Sequence, residues 1–290
     1  MNPFSLPQHL RNSMRLDHLL HTQQATVAQV KPLYIDNNVM NVDLDTPIFR
    51  LFNEKRFFEM LESKSLMLLH TTFWEDPFEN FLLNARWENA QGQPVDVSSV
   101  RDSYYGQCWT LREECDGLWR NYRGTSSNPT TPAAAIKVAT TVGKLMDQFY
   151  DMTNPHHEHA YFMGKVRYCS DAEIHAYFTQ PEVMNTTEHQ VNIRYPDTML
   201  VKRKAFSYEE EVRLIFSDTS GSAARRANPS NGLHPVAIEP NTLFDYIELD
   251  PLIKAPTAAA AQARIAAAGY TGRVTQSTLY NNPNFVVRLA

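Results

Sequence analysis

The sequence predicts an α+β fold, and three observations carry that expectation. Short runs of β-branched and aromatic residues recur along the chain between turn-forming residues. Only a few segments repeat their apolar residues at helical spacing. The apolar content, 43 % with 15 Phe, 13 Tyr and 4 Trp in 290 residues, is enough to close a sizeable core without staples. At about 150 residues per domain, this length allows one large domain or a domain with an appendage.

Taken in order, residues 1–46 carry scattered polar residues, Pro32 and one weak helical patch at 16–20, and read as an N-terminal arm or cap. Residues 47–290 read as the α+β domain. Residues 48–52 are a short strand, Asn53 caps a helix through Leu61 in which Phe57, Phe58 and Leu61 share a face, and residues 66–69 are a second strand. Pro77 breaks the chain after that strand, and a helix is expected from just past it through Trp87. Residues 106–111 are a strand that leads into a helical segment at 118–122, where Trp119 and Tyr122 share a face. Residues 124–132 are a loop, 133–140 a strand, and 141–163 helical at first and then loop-like around His156, His157 and His159. Strands follow at 166–169, along 201–216, at 234–238, 244–249 and 274–280, with an alanine-rich helix from Thr257 to Ala268 ended by Gly269.

Composition also excludes. The 27 Lys and Arg against 32 Asp and Glu leave a net charge of −5, so no bulk basic field draws the chain to nucleic acid, and any such contact is local. Cys108, Cys115 and Cys169 are an odd number at no zinc-like spacing, as expected of buried or idle thiols in a reducing compartment. The first twenty residues lack the apolar core of a signal peptide, and the richest apolar run, 258–268, is interrupted by Gln262 and Arg264. A soluble, cytoplasmic protein without a membrane partner is expected. The phosphate-cradling patterns of P-loop and Rossmann enzymes and the nucleophile elbow of hydrolases are absent from the sequence.

The chemistry concentrates in residues 206–216. As a strand, this segment lines Glu209, Glu211 and Arg213 along one face, where two carboxylates push one pKa up and a guanidinium draws it down. The same letters also suit a solvated edge, or a helical turn in which Glu209 and Arg213 pair at i,i+4. Arg50 interrupts an apolar strand, so it either faces outward or needs a partner or ligand. His70, Thr71 and Thr72 end the second strand, where hydroxyls and imidazole can hold a ligand or simply favour β structure. Glu75, Asp76 and Glu79 surround Pro77 and offer oxygens to a metal, although a structural turn is the preferred reading and no metal site is expected. Trp119 and Tyr122 suit a core face, or, beside Arg120 and Arg123, the wall of a nucleotide pocket.

Read in order, Ile48-Phe49-Arg50, Glu75-Asp76-Pro77-Phe78-Glu79, Cys108-Trp109-Thr110, Leu118-Trp119-Arg120-Asn121-Tyr122, Phe206-x-Tyr208-Glu209-x-Glu211-x-Arg213 and Ser277-Thr278-Leu279-Tyr280 resemble, over residues 47–282, the bacterial and phage family called domain of unknown function 2971. Here Glu75 stands for the family's Asn, Leu118 for its Met and Phe206 for its Trp. More loosely, the order of a strand with central Arg, a helix, a strand ending in Thr and a late Glu-x-Glu resembles the ADP-ribosyltransferase architecture. That resemblance implies a mixed or split, mostly antiparallel sheet with flanking helices, holding NAD as co-substrate. It implies that Arg50 grips the NAD phosphates, that Thr71 or Thr72 supports the nicotinamide ribose and that Glu211 stabilises the oxocarbenium-like centre. Glu209 then orients or deprotonates the acceptor, and Trp119, Tyr122 and Arg213 complete the nucleotide pocket. The implied function is transfer of ADP-ribose to a macromolecular acceptor, protein or nucleic acid, by a bacterial toxin or anti-phage effector with an antidote or sensor protein as a further partner. A non-catalytic module sensing a nucleotide or phage component is the alternative, and a metal-dependent nuclease using Glu75, Asp76, Glu79, Glu209 and Glu211 a third.

Overall fold

The computed structural model describes residues 26–76, 78–89, 91–124, 134–149, 161–178, 195–218 and 232–288. The expected loop at 124–132, all but Gly124, and the histidine-rich segment around 156–159 lie outside them, as do Pro77 and residues 1–25 of the expected arm. The described strands are β1 (Val39–Met40), β2 (Pro47–Asn53), β3 (Ser65–His70), β4 (Trp87–Glu88), β5 (Pro94–Val95), β6 (Tyr104–Thr110), β7 (Ala135–Thr141), β8 (Tyr161–Lys165), β9 (Arg167–Cys169), β10 (Val201–Arg203), β11 (Glu211–Ser217), β12 (Leu233–Ala237), β13 (Tyr246–Leu249) and β14 (Arg273–Gln276).

Ten of them form one sheet in the order β1-β8-β11-β6-β2-β7-β13-β14, with β3 and β12 branching from β6. All its pairings are antiparallel except β1 with β8 and β13 with β14. The architecture is thus mixed α+β, a largely antiparallel sheet with flanking helices.

The branch splits the sheet. One edge of β6 is taken along its whole length by β11. On the other edge, β3 holds only Tyr105 and Gly106 and β2 holds only Thr110, so the stretch 107–109 faces a gap. The helix Glu54–Ser63 joins β2 to β3 across this gap. Asn53 accepts the Arg56 amide at 2.9 Å as its N-cap, and Phe57, Phe58, Met60 and Leu61 bury its inner face. The main core lies between the sheet and this helix, the helices Val27–Asn38 and Val142–Asp147 and the alanine-rich helix Ala255–Ala267. Val30 and Tyr34 of Val27–Asn38 are fully buried there and β1 extends the sheet, so residues 26–46 of the expected arm are part of the packed body.

Two sequence expectations are corrected. Beyond Pro77 the chain forms only the short helix Phe81–Asn84, and Trp87 belongs to the hairpin of β4 and β5, because Trp87 pairs with Val95 across the Gln91-Gly92 turn. The segment 201–216 is not one strand: β10 gives way to a 3-10 helix, Lys204–Glu209, and β11 begins only at Glu211. Glu210 makes the joint in the left-handed region, φ 42°, which L residues adopt at a cost.

Candidate active site

The gap in the sheet opens into a cavity of about 700 Å³, within the size range of small-molecule sites. Phe49, Arg50 and Leu51 of β2, Leu69 of β3 and 108–110 of β6 form its base. Leu118, Asn121 and Tyr122 form one wall; Trp74, Asp76, Glu79, Lys202, Arg203, Phe206, Glu209 and Glu211 form the other.

Arg50 spans the split, its Nη1 donating to the carbonyl of Cys108 on the unpaired stretch of β6. Its guanidinium lies 5.0 Å from the Phe52 ring centroid, its Nε is buried without a hydrogen-bond partner, and no described carboxylate pairs with it. A half-buried arginine in that state has spare capacity for an anion.

Opposite stands a cluster of three carboxylates and two cations. Lys202 Nζ lies 2.7 Å from Glu209, 2.9 Å from Glu211 and 3.0 Å from Glu79. Arg213 is fully buried; its Nε donates to Glu211 at 2.8 Å, Nη2 to Glu79 at 2.5 Å and Nη1 to the Met199 carbonyl at 2.6 Å. Trp74 covers that guanidinium at 4.6 Å, and Gly106 makes room for the indole, since a Cβ there would sit 2.5 Å from it. The Glu211 amide donates to the Tyr168 hydroxyl at 2.8 Å, and the Thr110 hydroxyl donates to the Glu209 carbonyl at 2.5 Å, tying the turn to β6.

These contacts divide the two glutamates. Burial and the hydrogen bond shared with Glu211 push the Glu209 carboxyl up to about 7 against the pull of Lys202. Burial alone would raise Glu211 as well, but Arg213, the bond from Glu209 and Lys202 outweigh it and hold that carboxyl down to about 2. The site thus presents a fixed anion beside a proton carrier. Burial and the nearby Glu211 push the half-buried Cys108 thiol up to about 12, which keeps it neutral.

Of the residues singled out from sequence, Arg50, Tyr122, Glu209 and Glu211 line the cavity together. Arg213 lies behind Glu211, out of reach of the cavity. Trp119 is buried under Leu118 and Tyr122, its indole donating to Glu114 and its ring facing Lys137 at 5.5 Å. Thr71 and Thr72 stand apart from the lining because the chain turns into a 3-10 helix at Thr71, capped by His70. The Thr71 hydroxyl accepts from buried Asn80 at 3.0 Å, and that of Thr72 is 2.7 Å from His70 Nδ1. Asp76 and Glu79, weighed above as metal ligands, are engaged by Arg203 at 2.8 Å and by Arg213 and Lys202, and the described residues hold no cluster shaped for a metal ion. Lys202 went unrecognised in the sequence. Its signal was a lysine behind the apolar run Met199-Leu200-Val201, seven and nine residues before the two glutamates.

Fold and site together define an α+β protein whose split, largely antiparallel sheet brackets an arginine and a glutamate pair. No family model matches the chain, and no curated protein matches it. Among solved structures it is similar to Thermus sp. 2.9 DarT in complex with carba-NAD+, at 8 % identity over 81 % of this chain and 97 % of that one, with a TM-score of 0.35. The same protein in complex with NAD+ matches at 10 % identity over 82 % and 98 %, and in complex with ADP-ribosylated ssDNA at 10 % over 82 % and 96 %, both with a TM-score of 0.35. No described helix is long and apolar enough to cross a membrane.

Proposed function

We propose that the cleft binds NAD as co-substrate and that the protein is an ADP-ribosyltransferase-like enzyme, transferring ADP-ribose to a macromolecular acceptor. One observation supports this best: a single cavity holds, on one side, an arginine that pairs with no described carboxylate and, on the other, the Glu209 and Glu211 carboxylates gathered on Lys202. The Arg50 guanidinium, which lines the cavity and pairs with no described carboxylate, suits a pyrophosphate. Cleavage of the bond between ribose and nicotinamide leaves the electron pair on the departing neutral nicotinamide and positive charge on the sugar. A preorganised Glu211 carboxylate stabilises that charge as it develops. Glu209, in its ionised form, accepts the proton that the acceptor loses on attack. Tyr122 and Phe206 add aromatic rings to the lining of the cleft. A toxin or anti-phage effector is the setting suggested by the resemblance over 47–282 to a family carried by bacteria and phages.

The test is incubation of the purified protein with NAD, with and without cell lysate, following nicotinamide release and mass gain of macromolecules. Release with transfer is expected. Absence of both release and any thermal shift with NAD contradicts the reading, and a thermal shift without release leaves a nucleotide-sensing module.

A further inference from the structure

We propose that Lys202 sets the proton count of the cleft: together with Arg213 it supplies two cations to three clustered carboxylates, buried Glu79 and Glu211 and half-buried Glu209, so that one proton stays on the Glu209 and Glu211 pair in mildly acidic solution, and loss of Lys202 admits a second. The count follows from geometry. Lys202 Nζ is within 3.0 Å of Glu79, Glu209 and Glu211, and Arg213 bonds Glu79 and Glu211 but not Glu209. All four partners around Glu209 are withdrawn from water, with side chains at most 9 % exposed, against 20 % for Glu209 itself. A buried carboxylate without a counter-ion takes up a proton rather than bear the desolvation cost of its charge. Three carboxylates share two cations, and Glu209, which Arg213 does not touch, has only Lys202, shared with Glu79 and Glu211.

The other groups around Lys202 leave the count unchanged. Its strand neighbour Arg203 is answered by Asp76 at 2.8 Å, and the Phe206 ring lies 4.7 Å from the ammonium. Tyr168, whose hydroxyl accepts the Glu211 amide, Tyr208, which hydrogen-bonds the Glu209 side chain, Tyr122 and Cys108 are all pushed up by burial and stay neutral. Arg50 spends its Nη1 on the Cys108 carbonyl. Lys202 is in these terms a positioning residue. It gathers the glutamates at one point and fixes how many of them can be ionised together.

The test is proton linkage in the ligand-free full chain, so its failure is distinct from failure of the NAD reading. The slope of unfolding free energy against pH, between about pH 5 and 7, counts the protons that folded and unfolded states bind differently. It is read as differences between variants, so that groups common to all cancel. In wild type the folded state holds the extra proton, and stability falls as pH rises. Glu209→Gln is expected to remove about one proton from that slope, Lys202→Met to add about one, and Lys202→Arg to restore the wild-type value. Equal slopes for wild type and Lys202→Met, or a Glu209→Gln slope equal to wild type, overturn the proposal. If Lys202→Met does not fold, Glu79→Gln, which leaves two carboxylates to the two cations, is expected to remove about one proton from the slope, and a slope equal to wild type overturns the proposal.

Discussion

Arg213 shows what a wholly buried charge requires. Each of its nitrogens is committed to Glu211, Glu79 or the Met199 carbonyl, and Trp74 closes it off from the cavity. Removing Glu79 strips the buried Arg213 Nη2 of its shortest hydrogen bond, so Glu79→Ala is expected to cost about 1–3 kcal/mol, read by denaturant unfolding. Glu211 carries an acid dependence of its own. Its carboxyl is held down to about 2, below the ordinary carboxylate range, so the stability it adds is present above about pH 4.5 and is lost as pH falls toward about 2. Glu211→Gln is expected to flatten that acid limb in a pH series of thermal unfolding, and an unchanged limb would detach the dependence from this residue.

The helix Glu54–Ser63 illustrates how far sequence reaches at the scale of elements. Its cap, its apolar face and the flanking strands are all local signals, and Asn53, Phe57, Phe58 and Leu61 stand where the spacing puts them. Its end is less well built: Lys64 stops it with φ 48°, a conformation that suits glycine. Lys64→Gly is expected to stabilise by about 1 kcal/mol, raising Tm by roughly 2 °C, since the Lys64 pair with Glu239 is about half exposed and worth little. Where sequence reading failed, longer-range structure decides. Alternation places Glu209 on a strand, whereas the left-handed Glu210 and the bond from Thr110 to the Glu209 carbonyl turn it back toward Lys202. Thr71 looked free to hold ribose because nothing local shows that Asn80 claims its hydroxyl. Lys202 sits on a strand outside the main sheet, and only the fold brings it to the glutamates.

At the scale of the molecule, the cleft exists because β2 and β3 share one edge of β6 without meeting on it. No local pattern encodes that divergence, which depends on pairing Leu69 with Gly106, His70 with Tyr105 and Phe49 with Thr110, residues far apart along the chain. Arg50 and Cys108 bridge the split, and a ligand seated there touches β2, β6 and the carboxylate wall at once. NAD at a hundredfold excess over its Kd is expected to add about 2.7 kcal/mol to stability, seen as a rise in Tm, and Arg50→Ala to weaken binding by about tenfold or more through loss of a charged hydrogen bond. A wild-type Tm indifferent to NAD would separate the cleft from this ligand.

The most direct measurement is nicotinamide release from NAD by wild type and by Glu211→Gln, with NAD binding to both followed in parallel. A carboxylate that acts on charge developing in the transition state predicts release by wild type, a fall of about a hundredfold or more in the variant, and nearly unchanged binding. Equal release by the two proteins would contradict the role assigned to Glu211 and the account of the cleft built on it.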